Sequence, residues 1–259
     1  MDSKTKKALS SVAEKIGLRS REGSKPFSYF DIIDILDQAG CPVCNLLLQK
    51  SDRYLNTVLS EMVLNPDTHQ AFRERRGLCS QHSARAAEHI GGTLEIAILY
   101  ASGLEEVVQA LSEGLPSGNG KTLQNITKRN GKRKTLESRL APTAVCMVCS
   151  YLYECERRYI DTLGKHIRDP KVSKAFEDSE GLCLPHFRMT LLNTSKAAAR
   201  EHLIAIHKEI WTTLKEELDS FIAKNNYLHK HEINSREGDS WRKVLRIAGK
   251  SGVFGPDRF

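Results

Sequence analysis

The 259-residue sequence has no run of about 18 or more apolar residues, which excludes a transmembrane helix. Residues 1–25 are polar and basic and have neither the apolar stretch nor the small-residue cleavage site of a secretory signal. The expectation is a cytoplasmic protein with reduced thiols and no membrane contact. Catalytic motifs are missing as well. There is no G-x-S-x-G, no phosphate-cradling glycine loop and no H-E-x-x-H. No catalytic residue is therefore assigned, and a non-enzymatic role is favoured over an enzyme with a site between two modules. No strand pattern flanks the cysteine motifs, which counts against a thioredoxin-like context.

Cysteine is what the chain does have. Six of its seven cysteines fall in a motif pair written twice. Cys41-Pro42-Val43-Cys44 is followed, after 34 residues, by Cys79-Ser80-Gln81-His82. Cys146-Met147-Val148-Cys149 is followed, after 33 residues, by Cys183-Leu184-Pro185-His186. The odd count argues against a closed disulfide framework, and Cys155 reads as a small buried hydrophobe. A C-x-x-C turn supplies half a tetrahedron and a C-x-x-H turn the other half, so each unit carries one complete Cys3His set. The expected cofactor is two Zn2+ per chain, bound by Cys41, Cys44, Cys79 and His82 and by Cys146, Cys149, Cys183 and His186. An iron–sulfur cluster with one His ligand is the alternative. Arg53 and Arg158, later on the C-x-x-C helices, either support the ligands from outside or sit on a solvated face, and the sequence favours neither. His89, His202 and His207 read as surface or satisfied helix residues, and His229 and His231 as tail residues.

Apolar spacing predicts helices nearly throughout. The first spans Tyr29–Gln38. A second opens at Cys41 and runs to about Val63, with Leu46, Leu47, Tyr54, Leu55, Val58, Leu59 and Met62 inward. A short helix ends at Arg75, Gly77 terminates it in a left-handed conformation, and the next runs from Cys79 to about Ser112 with a weak point at Gly91-Gly92. The second unit follows the same plan from Thr143, with a last long helix over Ser195–Ala223 and an inward stripe at Leu203, Ile206, Ile210, Leu214, Leu218 and Phe221. Arg53-Tyr54 matches Arg158-Tyr159, Ala71-Phe72 matches Ala175-Phe176, and Gly77-Leu78 matches Gly181-Leu182. The reading is an all-α protein made by internal duplication, two helical zinc modules (28–113 and 142–224) related by a pseudo-twofold axis. A basic N-terminal tail (1–27), a basic flexible linker (114–141) and a C-terminal tail (225–259) complete it. The last carries one amphipathic helix whose apolar face is Trp241, Val244, Leu245 and Ala248.

The net charge of +7 is uneven. Residues 1–25, 114–141 and 224–259 carry +4, +6 and +4, leaving the folded remainder near −7. A basic groove on the folded surface is not expected. The linker cluster Lys128, Arg129, Lys132, Arg133 and Lys134 has no interleaved aromatic residues. Nucleic-acid binding there would be weak, sequence-independent and steeply salt-dependent. Asn125-Ile126-Thr127 fits the glycosylation pattern but would go unused in a cytoplasmic chain.

The C-P-x-C motif at Cys41–Cys44, the second C-x-x-C at Cys146–Cys149 and the G-L-C-x-x-H that follows each, together with the closing D-S-W-R-K-V…G-K-S-G-V-F-G, resemble an uncharacterised bacterial and archaeal family, a domain of unknown function (DUF6062). The resemblance covers Tyr29 to about Phe254, and Met147 replaces the proline of the second C-P-x-C. It implies no activity. Two functions compete: a zinc-stabilised helical adaptor for a protein or nucleic-acid partner, and a thiol-based redox or metal-responsive sensor using the same clusters.

Overall fold

The computed structural model describes residues 25–88, 91–114, 135–225 and 232–248. Helices make up its regular structure, and no strand occurs among the described residues. The basic cluster at 128–134, residues 1–24 of the N-terminal tail, His89, His229 and His231 lie outside them.

Four helices of each half follow one order. Helix α2 (Pro42–Ser60) begins where Cys41 is extended (φ −70°, ψ 123°) and Pro42 takes the first helical position. Proline's missing N–H costs nothing there, because the first turn has no intrahelical acceptor for it. Helix α7 (Met147–His166) begins after Cys146 in the same way without the proline. It does not start at Thr143 as expected. The N–H and hydroxyl of Thr143 both donate to the Glu74 carbonyl at 2.9 Å, which commits that segment to the first half.

Helices α3 (Pro66–Glu74) and α8 (Pro170–Glu177) are capped by the side chains of Asn65 and Asp169, which accept from the N–H groups of Asp67 and Lys171. The chain then turns through Gly77 (φ +96°) and Gly181 (φ +72°). Only glycine takes these angles freely, and a Cβ would also meet the Tyr100 ring at 3.2 Å or Ile210 at 3.2 Å. Next come α4 (Ser80–Ala87) and α9 (Leu184–Asn193), then the long helices α5 (Thr93–Gly114) and α10 (Ala197–Lys224). The single helix expected over 79–112 is thus two, separated at Gly91, whose φ is +94°. A short helix α6 (Leu136–Leu140) falls inside the stretch expected to be linker, with Thr135 as its cap.

Each half reaches onto the other. Helix α1 (Phe27–Ile35) lies on α7 and α8. There Ser28 and Thr162 share a 2.7 Å hydrogen bond, Tyr29 donates to Asp169 at 2.8 Å, and Tyr159 donates back to Asp31 at 2.7 Å. In return residues 139–145 lie on the first half, where Arg75 donates to the Val145 carbonyl and Arg76 to that of Arg139. Helix α2 packs on α7, and Tyr54, late in α2, stacks on Tyr151, early in α7, at 4.5 Å. The two helices therefore run antiparallel. Leu47, Leu55, Leu152, Ile160, Leu163 and Phe176, all below 2% exposed, belong to one core drawn from both halves.

Helix α11 (Ser235–Ala248) lies on α10, but not by the whole apolar face read from the sequence. Glu237 is buried and accepts from Ser220 (2.6 Å) and Lys224 (2.8 Å), and Lys243 pairs with Glu217 at 2.9 Å. Trp241 and Leu245 stay 43% and 60% exposed. Ion pairs help seat this helix, Val244 and Ile247 are half-buried, and Trp241 and Leu245 look outward.

Candidate metal centres

The antiparallel packing of α2 on α7 puts their two C-x-x-C turns at opposite ends of the pair. Each is met there by the C-x-x-H turn of the other half. Cys41 and Cys44, at the start of α2, join Cys183 and His186, at the start of α9. Cys146 and Cys149, at the start of α7, join Cys79 and His82, at the start of α4. Within each group the candidate ligand atoms all lie within 4.8 Å of one another. All eight predicted ligands are thus brought together, but the expectation that each unit closes on its own four is corrected: the sets are exchanged.

In the first centre the Cys44 and Cys183 sulfurs are 3.7 Å apart, and His186 Nδ1 lies 3.2–3.4 Å from the sulfurs of Cys41, Cys44 and Cys183. In the second the Cys79 and Cys149 sulfurs are 3.8 Å apart, and His82 Nδ1 lies 3.1–3.7 Å from those of Cys79, Cys146 and Cys149. A disulfide would need about 2.05 Å, so these are free thiols around a common centre. All eight sit at or just inside helix starts, where free N–H groups and the helix dipole favour thiolates.

The centres differ one layer out. His186 Nε2 is 2.9 Å from the Glu156 carboxylate, and both side chains are almost fully buried. A carboxylate on the far nitrogen fixes the imidazole's orientation and tautomer and raises its basicity as a ligand. His82 is fully buried too, yet its Nε2 has no partner among the described residues. The residue seven after Cys149 is Glu156, whereas the residue seven after Cys44 is Ser51. Ser51 is 1% exposed and its hydroxyl likewise has no partner among the described residues. Serine is too short to supply what glutamate supplies across the fold. Cys79 is also the one ligand not fully buried.

Proton affinities follow the crowding. Burial lowers both histidines' proton affinity, but hydrogen bonds with thiolate partners outweigh it, raising His82 to about 9 and His186 well above the usual range. Burial pushes the Cys41 thiol up. Hydrogen bonds from Cys149 and Cys79 hold Cys146 far below the thiol range, and those from Cys41 and Cys44 do the same for Cys183. Thiolates beside protonated imidazoles are a charge pattern that a cation would replace, with release of protons.

Neighbouring contacts tie each centre across the halves. Glu180, just before Gly181, accepts from the N–H of Gly40, just before Cys41, at 2.9 Å and from Nε and Nη2 of Arg246 at 2.9 and 2.6 Å. At the other centre Arg75 and Val145 make the matching link. Arg53 and Arg158, read as supporting the ligands or as lying on a solvated face, are exposed. Glu156 has the buried contact with a ligand, and sequence reasoning missed it. Its only trace was a carboxylate two turns after a C-x-x-C, which resembles any solvated helix position. His207 is a satisfied helix residue as expected. It is fully buried, donates from Nδ1 to the Leu203 carbonyl and accepts the Leu182 N–H at Nε2, each at 2.9 Å.

Buried Cys/His clusters at exchanged helix starts define an all-helical protein able to hold metal ions. Residues 29–250 match the model of a family of unknown function (DUF6062), and the chain belongs to that family. Neither the curated proteins nor the solved structures contain a match.

Proposed function

We propose that the protein is a non-enzymatic helical adaptor whose two halves are clamped together by two Zn2+ ions. The exchanged clusters carry this reading. Tetrahedral zinc with Zn–S near 2.3 Å and Zn–N near 2.0 Å requires S···S edges of about 3.8 Å and S···N edges of about 3.5 Å. The sulfur pairs at 3.7 and 3.8 Å and the Nδ1 contacts at 3.1–3.7 Å fit those edges. Four protein ligands leave no open coordination position, so the metal would serve structure and not catalysis. In this reading Cys41, Cys44, Cys183 and His186 hold one ion and Cys79, His82, Cys146 and Cys149 the other. The repeated order of α2–α5 and α7–α10 supports an internal duplication with a pseudo-twofold axis between the C-x-x-C helices. The free thiols fit a reducing compartment such as the cytoplasm. The partner is a protein, with the basic cluster at 128–134 offering weak electrostatic contact to nucleic acid.

Metal analysis of anaerobically purified, colourless protein should give two zincs per chain. Brown colour would replace zinc by an iron–sulfur cluster, and less than one zinc per chain would end the reading. The sensor alternative is favoured by one observation, the less buried Cys79 beside His82, whose Nε2 has no partner among the described residues. Under mild peroxide it requires loss of one zinc and formation of a disulfide within that centre, with the other centre intact.

A further inference from the structure

Helix α5 has two apolar faces. One is used by the core: Leu99 and Ala110 are buried, Gly103 lies against Phe72, and Tyr100 meets Phe72 edge-on at 4.9 Å. The other faces solvent and is built from Leu94, Ala97, Ala101, Leu104, Val108 and Leu111. All six are exposed, the leucines and valine by 44–67%. Their spacing is 3-4-3-4-3, the a/d seam of a helix that packs knobs-into-holes on another helix. Helix α10 has no such seam. Registered on α5 through His207 and Tyr100, which sit over Gly181 and Gly77, it places Glu201, Lys208 and Lys215 where α5 has Leu94, Ala101 and Val108.

We propose that two copies of this chain pair through α5, antiparallel, about a twofold axis near Gly103. In that register each a position meets a d position of the partner copy. Leu94 meets Leu111, Ala97 meets Val108, and Ala101 meets Leu104. Small residues thus face large ones, whereas a parallel pair would set each alanine against its own copy and leave a gap. Charge permits the same arrangement. Helix α5 has no Lys or Arg. Glu106 is engaged by Arg73 and Arg76, Glu113 by Arg139, and Glu95 is half-buried. That leaves Glu105 flanking the seam, opposite Ile98 of the second copy and not opposite another acid. A basic peptide would find few free carboxylates here, which favours a second copy as occupant. The 22-residue helix is about 33 Å long. Its seam would bury on the order of 1,000 Å² over both copies, the lower bound of a specific contact. The dimer should therefore be reversible. It does not depend on which metal fills the centres.

Sedimentation of the full-length, metal-loaded chain across tens of micromolar should show mass rising from 29.1 kDa towards twice that value. Leu104→Glu/Val108→Glu should hold it at 29.1 kDa with helicity and metal content unchanged, since both positions are exposed. Ala97→Lys and Val108→Glu should each be monomeric alone and form a mixed dimer when combined, because these positions face each other only in the antiparallel register. A monomeric parent at these concentrations overturns the proposal, as does a dimer unaffected by Leu104→Glu/Val108→Glu. Failure of the two charge variants to pair overturns the antiparallel register.

Discussion

Glu156 and Ser51 occupy the same place relative to their C-x-x-C turns, and the difference should make the centres unequal. Chelator added to the metal-loaded protein should remove one equivalent quickly, from the Cys79/His82 centre, and the second slowly. Glu156→Gln should accelerate the slow phase about 10–100-fold, measured with a colorimetric zinc indicator. Equal phases in the parent would show that the carboxylate does not hold the ligand. His207 makes a second prediction. Burial lowers it to about 4. The unfolded chain binds this proton below about 6.5 and the folded chain does not until about 4, so stability rises with pH across that window and is lost as pH falls through it. The loss approaches on the order of 3 kcal/mol by pH 4. Urea titrations should show a shallower pH dependence for His207→Gln than for the parent between those limits. The eight ligands were legible because a turn that offers two ligands to one centre requires i, i+3 spacing. Glu156 was not, since nothing along a helix says which carboxylate will face a buried imidazole.

At the level of helices, the strongest signals were the caps and breaks: Pro42, Asn65-Pro66, Asp169-Pro170, Gly77 and Gly181 all mark ends that the structure shows. The reading failed where tertiary contacts override local preference. Thr143 is held out of the helix by Glu74, and α11 turns Trp241 and Leu245 outward because Glu237 and Lys243 find partners on α10. Glu180 joins the residue before Cys41 to α11 through Gly40 and Arg246. Glu180→Ala should cost about 1–2 kcal/mol through loss of charge-assisted hydrogen bonds. Hydrogen exchange should show faster opening of α11 and of the Gly40–Cys44 turn, with α5 unaffected. Protection unchanged in α11 would mean the Arg246 pair contributes nothing there.

For the molecule as a whole, the exchange of ligand sets was invisible to spacing, because either pairing uses the same four turns. What decides it is the antiparallel contact of α2 with α7. Double variants separate the two arrangements by counting metal. Cys41→Ser/Cys183→Ser should lose one equivalent, since both cysteines serve one centre. Cys41→Ser/Cys79→Ser should lose both. The opposite pattern would restore pairing within each half.

The exchange also sets a schedule for synthesis. Cys44 waits for Cys183, 139 residues later, and Cys149 must find Cys79, 70 residues earlier. At about 5–20 residues per second on the ribosome, the first C-x-x-C stays incomplete for on the order of ten seconds. Neither ligand set can come together within half a protein, and a chain that stops before residue 183 leaves its first pair of thiols without Cys183 and His186. A filled first centre is therefore a certificate of translation past His186.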